Sequence, residues 1–429
     1  MTTECVGSRL GSTQRSQADG FSLPKQSGTL WLAVLLACCA CSAEDGLTES
    51  GGSVAEPLTQ EAVIAGLQRA GAWEVAPSTA RFSTEEDSVG DNALALQGGD
   101  NPAELARAED AIWQADDGER YEALFITPDG TVYGRRGPAP QAETPSEANG
   151  WGVPATVADQ ADPIGKTSEP LLIGPNSTND RRGRVSTGLT SAPVRLTGAM
   201  SSHGDLQSGT CSGTKIGPRV VLTASHCVWN GQFLTQSGFW NPGQSNTTTP
   251  NGSFAWTGVA LRDHIQGDQF DYAVIFLPDT QAVFNLSWMG AIWGTAASWY
   301  ANKSSHNNGY PCGPDNVCGT IAMQTCKASP LANKQCDGWM YSDPSTLVSG
   351  DFLANDLLSF DNDISLGHSG SAVYTSVTGG HAVMAVAAHA TLTQKGWGPR
   401  FRQSMWNDVC SWLALPGAQS SFGQHPLCH

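Results

Sequence analysis

The chain has 429 residues, a net charge of −17, 40% hydrophobic and 15% charged side chains. That length supports two or three domains with a sizeable core, and the acidic balance excludes the basic surface that nucleic-acid partners require. With 48 glycines and 14 tryptophans against 23 Lys and Arg, the composition points to strands and loops over helices.

Charge divides the chain into three zones. Residues 1–43 carry +1, residues 44–170 carry 24 acidic against 7 basic side chains, and residues 171–429 carry 14 against 13. The first zone is read as an export signal: Arg9, Arg15 and Lys25 precede the apolar run Leu30–Ala37, "LWLAVLLA". Eight apolar residues are too few to span a bilayer, which takes about 20. The run ends "LLAC", which resembles a bacterial lipobox with Cys38 as the lipidated residue; ordinary cleavage after Ala40 or Ala43 is the alternative.

The second zone begins as a Gly/Ser/Glu-rich linker. "LTQEAVIAGLQRAGAW" follows, with Val63, Leu67 and Ala70 on one helical face. "YEALFITPDGTVYGRR" predicts two strands about Pro128-Asp129-Gly130. A Pro/Ala/Glu-rich stretch, 137–170, reads as an exposed linker. No catalytic constellation is visible in this zone, which is expected to be an acidic α+β pro-segment.

From Leu171 the pattern becomes short β-rich runs such as "PRVVLTAS", "DYAVIFL", "SGSAVYTSV" and "HAVMAVAAHAT", punctuated by Gly, Pro, Asn and Ser. These predict an antiparallel sandwich or barrel. Met405, Trp406, Val409, Trp412 and Leu413 fall at helical spacing, and Pro416 stops the helix. The eight cysteines of this zone (Cys211, Cys227, Cys312, Cys318, Cys326, Cys336, Cys410, Cys428) are an even set, expected as disulfides in an oxidising compartment. Cys312 and Cys318 lack a matching pair at finger spacing, so no zinc is expected; no cofactor is needed, and structural calcium is not readable.

Covalent hydrolysis by serine needs a base beside the hydroxyl and a third group to orient that base. Three stretches supply these in the order His, Asp, Ser: "LTASHCV" with His226, "FDYAVIFL" with Asp271, and "GHSGSAV" with Ser369. Taken singly, a His beside a Cys is more often structural, an Asp before a strand usually caps or turns, and G-x-S-G is a weak motif. Together they form a candidate triad. The α/β-hydrolase elbow is set aside, because Ser371 stands where G-x-S-x-G needs glycine and the residue order differs.

The "TASHC", "DYAVI" and "GHSGS" stretches resemble the chymotrypsin-like serine protease family, and more closely its bacterial glutamyl-endopeptidase branch, which has "SGS" where trypsins have "SGG". "LLIGPNSTNDRRGRV" resembles the start of mature enzymes of that branch, and "HAT" with "GWGPRFRQSMWNDV" resembles its last strand pair and closing helix. The resemblance implies two six-stranded antiparallel β-barrels with a C-terminal helix over residues 171–429, acting on protein or peptide substrates as a secreted or surface-anchored monomer. It implies that Ser369 attacks the scissile carbonyl, His226 shuttles the proton and Asp271 fixes the imidazole tautomer. The N–H groups of Gly367 and Ser369 would form the oxyanion hole, where one lost donor costs about 3 kcal/mol. A Cys211–Cys227 bridge would pin the His226 loop, and Cys410–Cys428 would tie the tail to its helix.

Two residues make opposite demands on the substrate. By motif position His389 matches the branch's histidine that holds a substrate carboxylate; a core histidine is the plainer reading. The branch's small hydroxyl residue before the nucleophile is sought at Ile364 and found one step on, at Ser365. Asp363 stands six residues before Ser369, close to where trypsins bind Arg or Lys, and "DRRGR" (180–184) would then be a self-processing site. An acidic P1 residue is the favoured expectation, with a trypsin-like Arg/Lys endopeptidase as the alternative and an inactive peptide-binding homologue a further one. His368 occupies the place of the aspartate that trypsin-like zymogens pair with a new N-terminus, so activation is expected by trimming near residues 166–173 without that ion pair.

Overall fold

The computed structural model describes residues 73–76, 113–127, 130–141, 153–154, 183–201, 209–229, 238–245, 248–294, 297–300, 303–311, 338–349, 356–364, 367–378, 380–389, 396–415 and 418–422. The acidic segment contributes β1 (Trp73–Val75), β2 (Ala123–Ile126), β3 (Val132–Arg135) and β4 (Val153–Pro154), followed by the short β5 (Gly183–Arg184). Then come β6 (Thr197–Ser201), β7 (Gly209–Lys215), β8 (Val220–Thr223), β9 (Phe239–Pro242), β10 (Phe254–Ala255), β11 (Gly258–Arg262) and β12 (Ala273–Phe276). The remaining strands are β13 (Gly290–Trp293), β14 (Ser304–Gly309), β15 (Tyr341–Ser349), β16 (Leu357–Phe360), β17 (Ala372–Val377), β18 (Gly380–Val386) and β19 (Gly396–Pro399).

The expected all-β architecture with a closing helix is present, but the sheets are larger than two six-stranded barrels. Among the described residues one sheet has ten strands, ordered β1-β3-β2-β11-β12-β8-β7-β6-β9-β10, and the other has nine. Three strands of the first, β1, β2 and β3, come from the acidic segment. Its β2–β3 hairpin forms where the sequence places it, closed by hydrogen bonds from Thr127 to Thr131 and from Gly130 to Thr127, with Gly130 at φ +82°. In the second sheet β13 runs parallel to both β18 and β4, so that sheet is not purely antiparallel. The expected helix at 58–73 lies mostly outside the described residues.

A single buried cluster joins the sheets to the C-terminal helix Gln403–Leu413. Leu222, Val274 and Phe276 from the first sheet meet Ala291, Trp293 and Val386 from the second, and Met405, Trp406, Val409 and Trp412 of the helix complete it. β12 reads "AVIF" without polar alternation because both its faces are buried. The predicted apolar stripe of the helix is its buried face.

Lys215, at the end of β7, is a charged residue in this core. Its ammonium donates to the Ser287 carbonyl at 2.8 Å and lies 5.0 Å from the Trp288 ring centre. Burial, reinforced by the charge of Arg195, pushes its pKa down to about 7. The unfolded chain holds that proton more tightly, with an ordinary lysine pKa near ~10.4. The residue therefore costs stability at and below neutral pH, and the cost fades as pH rises toward the unfolded value. Lys215→Met is expected to raise unfolding free energy by about 2–4 kcal/mol near neutral pH, with the gain shrinking by about pH 10 in denaturant titrations; a pH-independent gain contradicts this account.

Candidate active site

His226 sits in the single turn Ser225–Cys227 that breaks the all-buried strand β8. Two contacts fix that turn. Cys227 is bridged to Cys211 of β7, and Ser225 Oγ donates to the Arg262 carbonyl at 2.7 Å. Asp271 follows the turn Asp268–Phe270 and precedes β12. Because Ala273 of β12 stands opposite Thr223 of β8, the histidine and the aspartate emerge from the same end of one strand pair.

The Asp271 carboxylate is wholly buried. Its Oδ1 accepts the His226 backbone N–H at 2.9 Å, and its Oδ2 lies 2.7 Å from His226 Nδ1. Burial alone would raise its pKa, but the His226 charge and hydrogen bond hold it well below the usual carboxylate range. Burial likewise opposes a charge on His226, and Asp271 more than offsets it, so the imidazole pKa is raised. With Nδ1 engaged by the carboxylate, Nε2 is left to take a proton from a nucleophile.

Ser369 lies in a turn flanked by left-handed glycines, Gly367 at φ +91° and Gly370 at φ +84°. The turn presses directly on the His226 strand: a Cβ at Gly370 would stand 2.1 Å from Thr223 Oγ1, 2.2 Å from the Ser212 carbonyl and 3.0 Å from Ala224 N. Ser212 binds the turn at two points, its N–H donating to the Ser369 carbonyl at 2.7 Å and its Oγ to the Gly367 carbonyl at 2.7 Å. The N–H groups of Gly370 and Ser371 are donated to Ala387 and His368 carbonyls. Among the described residues the N–H groups of Gly367 and Ser369 are donated to no backbone carbonyl, as an oxyanion hole requires. Ser212 gave no signal in the sequence beyond its place after Cys211.

His389 follows β18, and its Nε2 faces two carboxylates. That nitrogen lies 3.0 Å from Asp271 Oδ2 and 3.8 Å from Asp268 Oδ1, while the ring stacks on Trp397 with centroids 5.8 Å apart. The backbone exchange of His389 and Trp397, two N–H···O bonds of 2.9 Å, turns the side chain toward the triad carboxylate. A third imidazole, His264, stands nearby with Nδ1 3.3 Å from Ser225 Oγ; burial lowers its pKa. The sequence did not mark it.

Asp363 is fully buried, its N–H donating to Asp343 Oδ2 at 2.5 Å, and its neighbour Asn362 bonds Ser305 and the Asp343 carbonyl. Asp363 thus lies in a buried polar cluster with Asn362 and Asp343. His368 is buried against Gly309, where a Cβ would meet the imidazole at 2.4 Å. Ser365, Cys38, Cys312, Cys318, Cys326, Cys336 and Cys428 lie outside the described residues. Cys410 is disulfide-bonded. Among the described residues no helix is long and apolar enough to cross a membrane, and the cluster Cys211–His226–Cys227 has metal-ligand spacing, but its two sulfurs are joined to each other and offer no thiolate.

Residues 188–401 match the family model described as Trypsin. The chain is a chymotrypsin-like serine protease. Among solved structures, a Glu endopeptidase in complex with MPD is 20% identical, with 54% of this chain and 95% of that chain covered at a TM-score of 0.43. The protease Anisep from Arthrobacter nicotinovorans is 14% identical, with 51% and 95% covered at 0.38. The thermostable serine protease AL20 from an extremophilic microorganism is 15% identical, with 50% and 95% covered at 0.38. No curated protein matches significantly.

As a serine endopeptidase of this family the chain needs no cofactor. Because Asp271 raises the His226 pKa, kcat/KM is expected to fall on acidification through a midpoint above the ordinary histidine value of about 6.5. In Asp271→Asn burial acts unopposed, so the midpoint should move down while kcat drops about 10⁴-fold. A pH–rate profile in which the acid limb stays fixed would contradict the assignment.

Proposed function

We propose that this protease cleaves peptide bonds through an acyl-enzyme formed on Ser369, with His226 as general base and Asp271 as its orienting partner. The observation that carries the reading is the His226–Asp271 pair, with both oxygens of a buried carboxylate in contact with His226, set against a turn whose Gly370 abuts the same strand. In the first step Ser369 Oγ adds to the scissile carbonyl and its proton passes to His226 Nε2. The proton is then delivered to the leaving amine, and water repeats the sequence on the ester. Gly367 and Ser369 N–H groups would hold the oxyanion.

The preferred substrate is a peptide with an acidic P1 residue, as in the glutamyl-endopeptidase branch. The branch motifs "SGS" and "HAT" in the sequence support this. The protein is read as exported, freely or through Cys38. The disulfides at Cys211–Cys227 and Cys410 support an oxidising compartment. Activation is read as trimming near residues 166–173.

Ser369→Ala is expected to abolish turnover and labelling by a fluorophosphonate, and a peptide-library digest by the parent enzyme should show cleavage after Glu; cleavage after Arg or Lys would favour the trypsin-like alternative. His389→Phe separates the two roles of that residue. If the imidazole props Asp271, kcat falls about 10–100-fold for every substrate, the cost of a hydrogen bond to a charged group. If it faces the substrate, KM rises for Glu substrates alone.

A further inference from the structure

The acidic segment is built into the catalytic domain. Strand β2 lies between β3 and β11, and its four residues pair in register with β11, from Ile126 opposite Val259 to Ala123 opposite Arg262. All four of its side chains are buried, and Phe125 packs edge-on against Phe276 of β12 at 5.8 Å. Gly258 takes φ +157° where that ring approaches. Trp73 and Phe125 belong to the same cluster as the closing helix.

Three ion pairs link this segment to the rest. Arg120 Nε donates to the buried Asp263 at 2.6 Å, and Glu122 lies 3.1 Å from Arg262. Arg135, itself buried, reaches the closing helix, with Nη2 2.5 Å from Asp408 Oδ1 and Nη1 donating to Ser411 Oγ at 2.8 Å. The other oxygen of Asp408 accepts the hydroxyl of Tyr272, the residue after Asp271, at 2.5 Å. Departure of the segment would open the β11 edge, expose Phe276 and leave the buried Asp408 without Arg135. A strand that is hydrogen-bonded on both sides and charge-paired at its ends is not arranged to leave.

We propose that residues 113–141 remain in the mature enzyme, so that a cut near residues 166–173 yields two noncovalently joined chains and releases no inhibitor. The partner surface is the β11 edge together with Asp263, Arg262 and Asp408, and its occupant is the chain's own hairpin.

The test uses the full-length Ser369→Ala protein, which cannot digest itself, with a recognition sequence for an unrelated protease inserted between residues 166 and 173. After complete cutting, gel filtration in native buffer followed by denaturing mass spectrometry should find both fragments in one peak in equimolar amounts. They should separate only when denaturant is added. An N-terminal fragment that elutes alone in native buffer overturns the proposal, whatever the state of the remainder. Arg135→Met in the cut protein should lower the denaturant concentration at which the fragments part; an unchanged release midpoint counts against the Arg135–Asp408 pair as a tether. The readout is retention, not activity, so it stands apart from the assignment of the triad.

Discussion

A carboxylate sealed from water is the constraint around which this molecule is arranged. Asp271 has no exposed surface, and an ionised group in that position survives only if donors surround it. The chain provides a backbone N–H and the His226 imidazole, and brings a second imidazole, His389, within 3.0 Å. Each group requires a framework: the His226 turn needs the Cys211–Cys227 bridge and β8, and His389 needs its exchange with Trp397. The architecture near the site reads as the scaffolding of these groups.

That scaffolding extends further than the catalytic domain drawn from sequence. Behind Asp271, Tyr272 bonds Asp408 of the closing helix, and Asp408 bonds Arg135 of the acidic segment. A second buried carboxylate is thus paired in the interior, with Arg262 also within 3.6 Å. The low-dielectric setting makes such a network costly to leave partly satisfied. It gives the acidic segment a physical reason to be there that its net charge does not reveal.

The sequence disclosed the closing helix, the β2–β3 turn and the His-loop disulfide, because each rests on local chemistry: a 3.6-residue period, a Pro-Asp-Gly turn and a paired cysteine. What it concealed is non-local. Arg135 and Asp408 are 273 residues apart, and no periodicity joins them. "YEALFITP" reads as an ordinary hairpin strand, and nothing in it says that its other edge is taken by β11. His389 follows β18 in an isolated bridge with Trp397, which directs its ring, and spacing carries no rotamer. Asp363 was located next to the site, while its burial depends on Asn362 and Asp343.

In the proposed mechanism the glycine at 370 would set the separation of nucleophile and base, since its Cα faces Thr223 and Ser212 with no room for a methyl group. Inactivation therefore has a route that touches none of the three catalytic side chains: widen this contact and Ser369 drifts away from His226. A homologue can display His, Asp and Ser intact and still be silent. In this architecture a census of catalytic residues measures descent, and the tightness of one seam between the two sheets measures competence.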